Sequence, residues 1–320
     1  MGTPVTRLAP SPTGALHLGN ARTFLVNWLL ARQNGWRVVL RIEDLDGPRV
    51  KRGADAAAID DLRWLGIDWD NGPVYQSTRT TAYAQAIDRL LAGGDAYACV
   101  CSRREVDAAA SAPHADDGSA VYPGTCRGRF ASVADARAAA GAGRAPAVRF
   151  HARPGERVTV DDAVAGRVEF DVAGRLGDFV VAKADGTPAY QLAVVVDDAA
   201  AGVTHVVRGD DLLDSTPRQM LLYRALGLAD RVPRYAHLPL VVGADGRRLA
   251  KRHGDTRLST YRAAGVGPGR VLALLARWCG IEGTPPARAG DLIGRLDLSG
   301  LPRTPIVFDE ADHLELRAQR

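Results

Sequence analysis

Arg7-Leu-Ala-Pro-Ser-Pro-Thr-Gly-Ala-Leu-His17-Leu-Gly19-Asn20 is a loop dense in proline and glycine that runs straight into a helical pattern. From Ala21 to Arg32 apolar residues recur at 21, 24, 25, 28 and 29, the spacing of an amphipathic helix, and Asn34-Gly35 ends it. A helix that starts here turns its first N–H groups toward whatever binds in front of it. Gly19 removes a Cβ that would hold a ligand away. His17 can donate to a phosphate as charge develops during displacement. Alone, a His-x-Gly turn is more often a plain helix cap, so this reading needs support from elsewhere in the chain.

After that helix, Trp36 to Ile42 reads as a short buried strand. Helical patterns follow at Ala54 to Leu65, closed by Gly66, and at Thr80 to Ala92, closed by Gly93-Gly94. Strands alternating with helices at this rhythm predict an α/β fold with a parallel sheet of the Rossmann type. The pattern changes near Tyr97. Tyr97-Ala-Cys-Val-Cys101 is strand-like, a polar loop runs from Ser111 to Thr125, and short β segments follow at Val148 to His151 and Arg157 to Val160. This predicts an inserted α+β module. Alternation resumes with Asp178 to Lys183, Tyr190 to Val196 and His205 to Arg208, and Thr216-Pro217 opens the next helix. The expected division is residues 1–96 and 178–240 for the two halves of the catalytic domain, 97–177 for the insertion, and 241–320 for a basic loop with a short helical tail.

A chain of 320 residues exceeds what one core usually serves, which agrees with several modules. At 46% hydrophobic and 24% charged it falls in the soluble globular class. The net charge of +4 is compatible with a polyanionic partner but decides nothing alone. The start of the chain has no apolar export segment, and runs such as Val271 to Ala276 are too short to span a membrane. The expectation is a cytoplasmic monomer without membrane contact. Four cysteines in that setting argue for free thiols or metal ligation rather than disulfides.

The second informative stretch is Arg247-Arg248-Leu-Ala-Lys251-Arg252-His253-Gly254, a basic cluster on a glycine-flanked loop that could close over a triphosphate. With the His17 loop opening the first half of the sheet, the pair resembles the "HIGH" and "KMSKS" signatures of class I aminoacyl-tRNA synthetases, in their glutamyl form. Arg41-Ile-Glu43-Asp44-Leu-Asp46 and Val207-Arg208-Gly-Asp-Asp-Leu212 match two further blocks of that family. Asn20 stands where the class has its final histidine, and Arg248 where it has its first lysine. The resemblance implies ATP as substrate with Mg²⁺, held by His17, Gly19, Asn20 and Lys251, of which His17, Asn20 and Lys251 act in catalysis. It also implies an L-glutamate pocket of Arg7, Ser11, Glu43, Tyr190 and Arg208. Arg7 and Arg208 would take carboxylates, a task suited to the guanidinium fork, and Glu43 the ammonium.

Cys99-Val-Cys101 and Cys126 suggest a structural zinc ion, with His114 the fourth ligand that spacing alone nominates. Cys-x-Cys followed by Tyr122-x-x-x-Cys126 instead resembles the zinc site of the glutamyl-queuosine tRNA(Asp) subgroup, where a tyrosine completes the set. That subgroup lacks a long anticodon-reading domain, and here only a short stretch follows the lysine loop. The resemblance implies transfer of glutamate to queuosine in the anticodon arm of tRNA(Asp). A minimal glutamyl-tRNA(Glu) synthetase, a non-catalytic paralogue that binds glutamate or adenylate, and a nucleotidyltransferase without an RNA partner are the competing readings.

Overall fold

The computed structural model describes residues 2–109, 121–141, 144–247, 249 and 255–317. β1 (Val5–Leu8) leads through the His17 loop into α1 (Leu18–Gln33), and β2 (Arg37–Ile42), α2 (Ala54–Trp64), β3 (Asn71–Tyr75) and α3 (Thr80–Ala92) follow. β1, β2 and β3 pair in parallel in that order, with Val5 opposite Arg37 and Leu8 opposite Leu40. Parallel neighbours need crossovers, which α1 and α2 provide.

Next come β4 (Ala96–Cys99), α4 (Arg103–Ala109), α5 (Val133–Ala140), β5 (Ala147–Phe150), β6 (Arg157–Asp162), β7 (Gly166–Asp171) and β8 (Phe179–Ala182). After them run α6 (Tyr190–Ala201), β9 (His205–Gly209), α7 (Ser215–Ala225), β10 (Arg234–Leu238) and β11 (Val241–Val242). The chain continues through α8 (Leu258–Ala263), α9 (Pro268–Arg277), β12 (Ile306–Val307) and α10 (Glu310–Arg317). β9 and β10 are parallel, β6 joins β10 in parallel at Tyr235 opposite Asp162, and β7 forms an antiparallel hairpin with β6.

The two parallel groups meet at β1 and β9. Thr204 N–H donates to Val5 O at 2.8 Å, and Val5 N–H donates to Thr204 Oγ1 at 2.9 Å. The order across both groups is therefore β3-β2-β1-β9-β10-β6, and the direction of winding reverses between β1 and β9. Open α/β sheets take ligands in the crevice at such a point, beyond the carboxyl ends of the strands.

Two expectations change. The strand at Asp178 to Lys183 does not resume the parallel sheet: β8 is the third strand of an antiparallel sheet, β4-β5-β8, and it is β6 that extends the parallel group. A short apolar run carries no sign of its direction, so the two roles look alike in sequence. The helix predicted from Ala21 exists, but it is buried well beyond one stripe. Val26, Asn27 and Leu30 are interior along with Leu25, Trp28 and Leu29, because α9 packs on α1 in addition to the strands β1, β2 and β9. Buried Asn27 is satisfied by β1, donating to Arg7 O at 2.8 Å and accepting from Thr6 Oγ1 at 2.8 Å. Among the described residues no helix is long and apolar enough to cross a membrane.

Candidate active site

A cleft of about 520 Å³ opens at the strand ends. Ser11, His17, Gly19 and Asn20 line it from the chain after β1, Glu43 from the end of β2, Tyr190 from the start of α6, and Asp211 from beyond β9. His17 is the N-cap of α1, in an extended conformation. Its Nδ1 accepts from Asn20 N–H at 3.4 Å, while Asn20 Oδ1 accepts from His17 N–H at 3.2 Å. This reciprocal cap leaves the proton of a neutral His17 on Nε2. A Cβ on Gly19 would stand 3.1 Å from both Cε1 and Nδ1 of His17, so the glycine makes room for the imidazole itself.

The chain beyond the lysine loop is fixed to the same wall. Leu18 N–H donates to Thr256 O at 3.0 Å, Leu258 N–H donates to Leu16 O at 2.9 Å, and His17 bridges Arg257. On the other flank Leu240 and Val241 line the cleft, and β12 holds them by pairing with β11, Ile306 N–H donating to Leu240 O at 2.9 Å. Lys251 and Arg248 lie outside the described residues, as does His114.

Behind Glu43 sits a buried charge network. Arg41 Nη2 donates to Glu43 Oε1 at 3.0 Å, and Arg41 also pairs with Asp198. Arg7 Nε lies 3.5 Å from the other oxygen of Asp198. Burial works against the charge on Arg41, but Asp198, Glu43 and Asp197 outweigh it and hold the guanidinium above the ordinary arginine range. Asp198 therefore steadies two arginines, one of which supports Glu43. The motifs assign no role of its own to Arg41 and do not include Asp198, although a signal exists. Asp197-Asp198 follow the buried run Leu192 to Val195 of α6 and are buried with it, and carboxylates so placed must find cations or donors. Asp197 finds Gln76 at 2.7 Å, Arg79 at 2.6 Å and Tyr83 at 2.8 Å, which ties α3 to α6.

Arg208 is also buried. Its Nε donates to His237 Nε2 at 3.0 Å, Nη1 to Gln219 Oε1 at 3.0 Å, and Nη2 to Thr216 Oγ1 at 2.8 Å and Leu212 O at 3.3 Å. Removal from water pushes the Tyr190 phenol upward; Arg208 pulls it back, Glu43 adds to the rise, and Arg7 and Arg41 oppose it. These charges thus surround one tyrosine at the edge of the cleft.

In the antiparallel module Cys99, Cys101 and Cys126 gather with all three Sγ atoms within 4.8 Å of one another. Tyr122 Oη lies 3.3 Å from Cys99 Sγ and 3.5 Å from Cys101 Sγ, and it accepts from Cys126 N–H at 2.9 Å. Cys101 Sγ and Cys126 Sγ are 3.6 Å apart. Tetrahedral zinc with sulfur at about 2.3 Å requires ligand-to-ligand edges of about 3.8 Å, so the donor set and its spacing fit such an ion. Arg149 donates to Cys99 Sγ at 3.4 Å and lies 4.0 Å from the centre of the Tyr122 ring.

A family model described as tRNA synthetases class I (E and Q), catalytic domain, matches residues 4–298. The chain belongs to that family. A relative from Symbiobacterium thermophilum called glutamyl-Q tRNA(Asp) synthetase is 51% identical, over 94% of each chain. A glutamate–tRNA ligase from Geobacter sulfurreducens is 46% identical, over 85% of this chain and 56% of its own. Among solved structures, a glutamate tRNA ligase from Elizabethkingia meningosepticum in complex with its amino acid superposes with a TM-score of 0.82 at 27% identity, covering 97% of this chain and 68% of that one.

In this class I synthetase, then, the described residues proposed from sequence fall into three groups. Ser11, His17, Gly19, Asn20, Glu43 and Tyr190 share the walls of one cleft. Arg7 and Arg208 are not among its lining residues; they lie behind it, engaged with Asp198 and with His237, Gln219 and Thr216. Cys99, Cys101, Tyr122 and Cys126 form a separate centre among the residues of the small module.

Proposed function

We propose that this synthetase activates L-glutamate with ATP and transfers it to queuosine at the wobble position of tRNA(Asp). The observation that carries the reading is the single cleft in which the His17-capped start of α1 meets Glu43 and Tyr190 at the reversal of the sheet. One side offers an imidazole at the positive end of a helix to phosphates; the other offers a carboxylate to an ammonium group. The 51% identity with the Symbiobacterium relative, over 94% of each chain, supports the acceptor.

Glu43, held by Arg41, takes the ammonium of glutamate. Ser11 and Tyr190 add neutral hydrogen bonds, and the cations Arg7 and Arg208 take carboxylates. The α-carboxylate then forms a bond to the α-phosphorus of ATP as the bond to the β-phosphate breaks and pyrophosphate leaves. His17 and Asn20 stabilise charge on the phosphates from the helix side, and Lys251 does so from its loop. Mg²⁺ enters with ATP and supplies countercharge to the phosphates when bound. In the second step a ring hydroxyl of queuosine attacks the adenylate carbonyl and AMP departs. Zinc would be held by Cys99, Cys101, Tyr122 and Cys126 and would tie β4 to the chain around Cys126; its part is structural.

The test is transfer of labelled glutamate to three acceptors: tRNA(Asp) with queuosine, the same tRNA without it, and tRNA(Glu). Label on the first alone is expected. Label on tRNA(Glu) instead would make this a glutamyl-tRNA(Glu) synthetase. Absence of both pyrophosphate exchange and transfer would favour a binding paralogue.

A further inference from the structure

The buried side chains behind Arg208 form a chain with a fixed direction. Arg208 carries only donors, so His237 Nε2, 3.0 Å from Arg208 Nε, must present a lone pair. The proton of His237 therefore sits on Nδ1, which lies 2.6 Å from Asp162 Oδ2. Asp162 is itself fixed: its Oδ1 accepts from the backbone N–H groups of Val164 at 2.9 Å, Ala165 at 2.8 Å and His237 at 3.0 Å. β6 and β10 place the two residues side by side through the parallel pairing at Tyr235 and Asp162. All three side chains are interior, with Asp162 at 6%, His237 at 1% and Arg208 at 4% exposure. Together with Gln219, Thr216 and Leu212, this chain occupies four of the five guanidinium N–H donors among the described residues, leaving one on Nη1 for a substrate oxygen.

We propose that Asp162 and His237 are positioning residues that lock the His237 tautomer and thereby aim Arg208 at a carboxylate of glutamate. This rests on the reading of Arg208 as a glutamate ligand. The lock gives the pair a definite role. The Asp162 carboxylate compels the Nδ1–H tautomer, the lone pair on Nε2 orients the guanidinium plane, and the remaining Nη1 hydrogen is presented in one direction. Loss of the tautomer turns an N–H of His237 against an N–H of Arg208.

Asp162→Asn is the sharpest perturbation. The three backbone donors hold the amide oxygen at the Oδ1 position, which puts the amide nitrogen against His237 Nδ1 and forces the proton onto Nε2. Glutamate-dependent ATP–pyrophosphate exchange by the full chain separates the substrates. We expect Asp162→Asn and His237→Leu each to raise KM for glutamate about 10- to 100-fold, the scale of a lost hydrogen bond to a charged group. KM for ATP should stay within about twofold. His237→Gln, whose amide oxygen can replace Nε2 as acceptor, should keep KM for glutamate within about threefold. Arg208→Gln is the control for the underlying reading. A raised KM in Arg208→Gln with an unchanged KM in Asp162→Asn overturns the positioning role alone. An unchanged KM in Arg208→Gln removes Arg208 from the pocket, and the proposal with it. Equal losses for both substrates, accompanied by a lowered melting temperature, would mean that the pair only supports the fold.

Discussion

Gly19→Ala separates chemistry from stability at the start of α1. The new Cβ would meet the His17 ring at 3.1 Å and Val241 Cβ at 3.6 Å. The valine contact is ordinary, so the imidazole is the group that yields, by a few tenths of an ångström or more. Its cap bond to Asn20 N–H is already long at 3.4 Å and should break. Losing a cap costs about 1 kcal/mol, while replacing glycine by alanine in a helix returns about 0.5–1 kcal/mol. The two nearly cancel, so the melting temperature should move by no more than about 3 °C. Catalysis has no such compensation, because displacement of a phosphate-facing group approaching 1 Å can cost about 100-fold. The expectation is a 10- to 100-fold fall in kcat for pyrophosphate exchange, with KM for glutamate unchanged because Glu43 and Tyr190 are untouched. Exchange within twofold of wild type would refute the idea that Gly19 exists to seat His17. A large drop in melting temperature alongside the lost rate would refute the cancellation.

Lys251→Ala should abolish glutamate-dependent exchange while leaving the melting curve in place, and near-normal exchange would remove the loop from the mechanism. Purified protein should contain one zinc per chain by elemental analysis; Cys126→Ala should lose it, Tyr122→Phe should release it to a chelator faster, and His114→Ala should retain it. Asp198→Asn takes the shared carboxylate from Arg7 and Arg41 and should cost about 3–5 kcal/mol in denaturant unfolding, the penalty for leaving buried charge uncompensated. Burial pushes His237 below its ordinary value near 6.5, Asp162 pulls it up and Arg208 pushes it down again. The unfolded chain then takes the proton first, so this contribution is complete above about pH 6.5 and is lost as pH falls toward the lower folded-state value. Wild type should lose more melting temperature between pH 7.5 and 5.5 than His237→Gln, and equal losses would mean that His237 is not held neutral.

Elements that local chemistry writes down are legible in the residues alone. The proline- and glycine-rich approach to His17, the helix that follows and the Cys-x-Cys pair are each contained within a short stretch. Spacing and capping there constrain φ, ψ and burial directly. Family resemblance then joined Ser11, Glu43 and Tyr190 to His17, and the cleft does contain them together. Tertiary structure decided what depends on partners far apart in the chain. It placed β8 in an antiparallel sheet and β6 in the parallel one, because a four-residue apolar run has the same pattern in either. It brought Ile306–Val307 back against β11, a pairing too short to leave a period. It set Arg7 against Asp198, and Asp162 through His237 against Arg208. A buried charge is stabilised by whichever opposite charge or acceptor the fold carries to it, and nothing in the residues beside Arg7 or Arg208 names those partners.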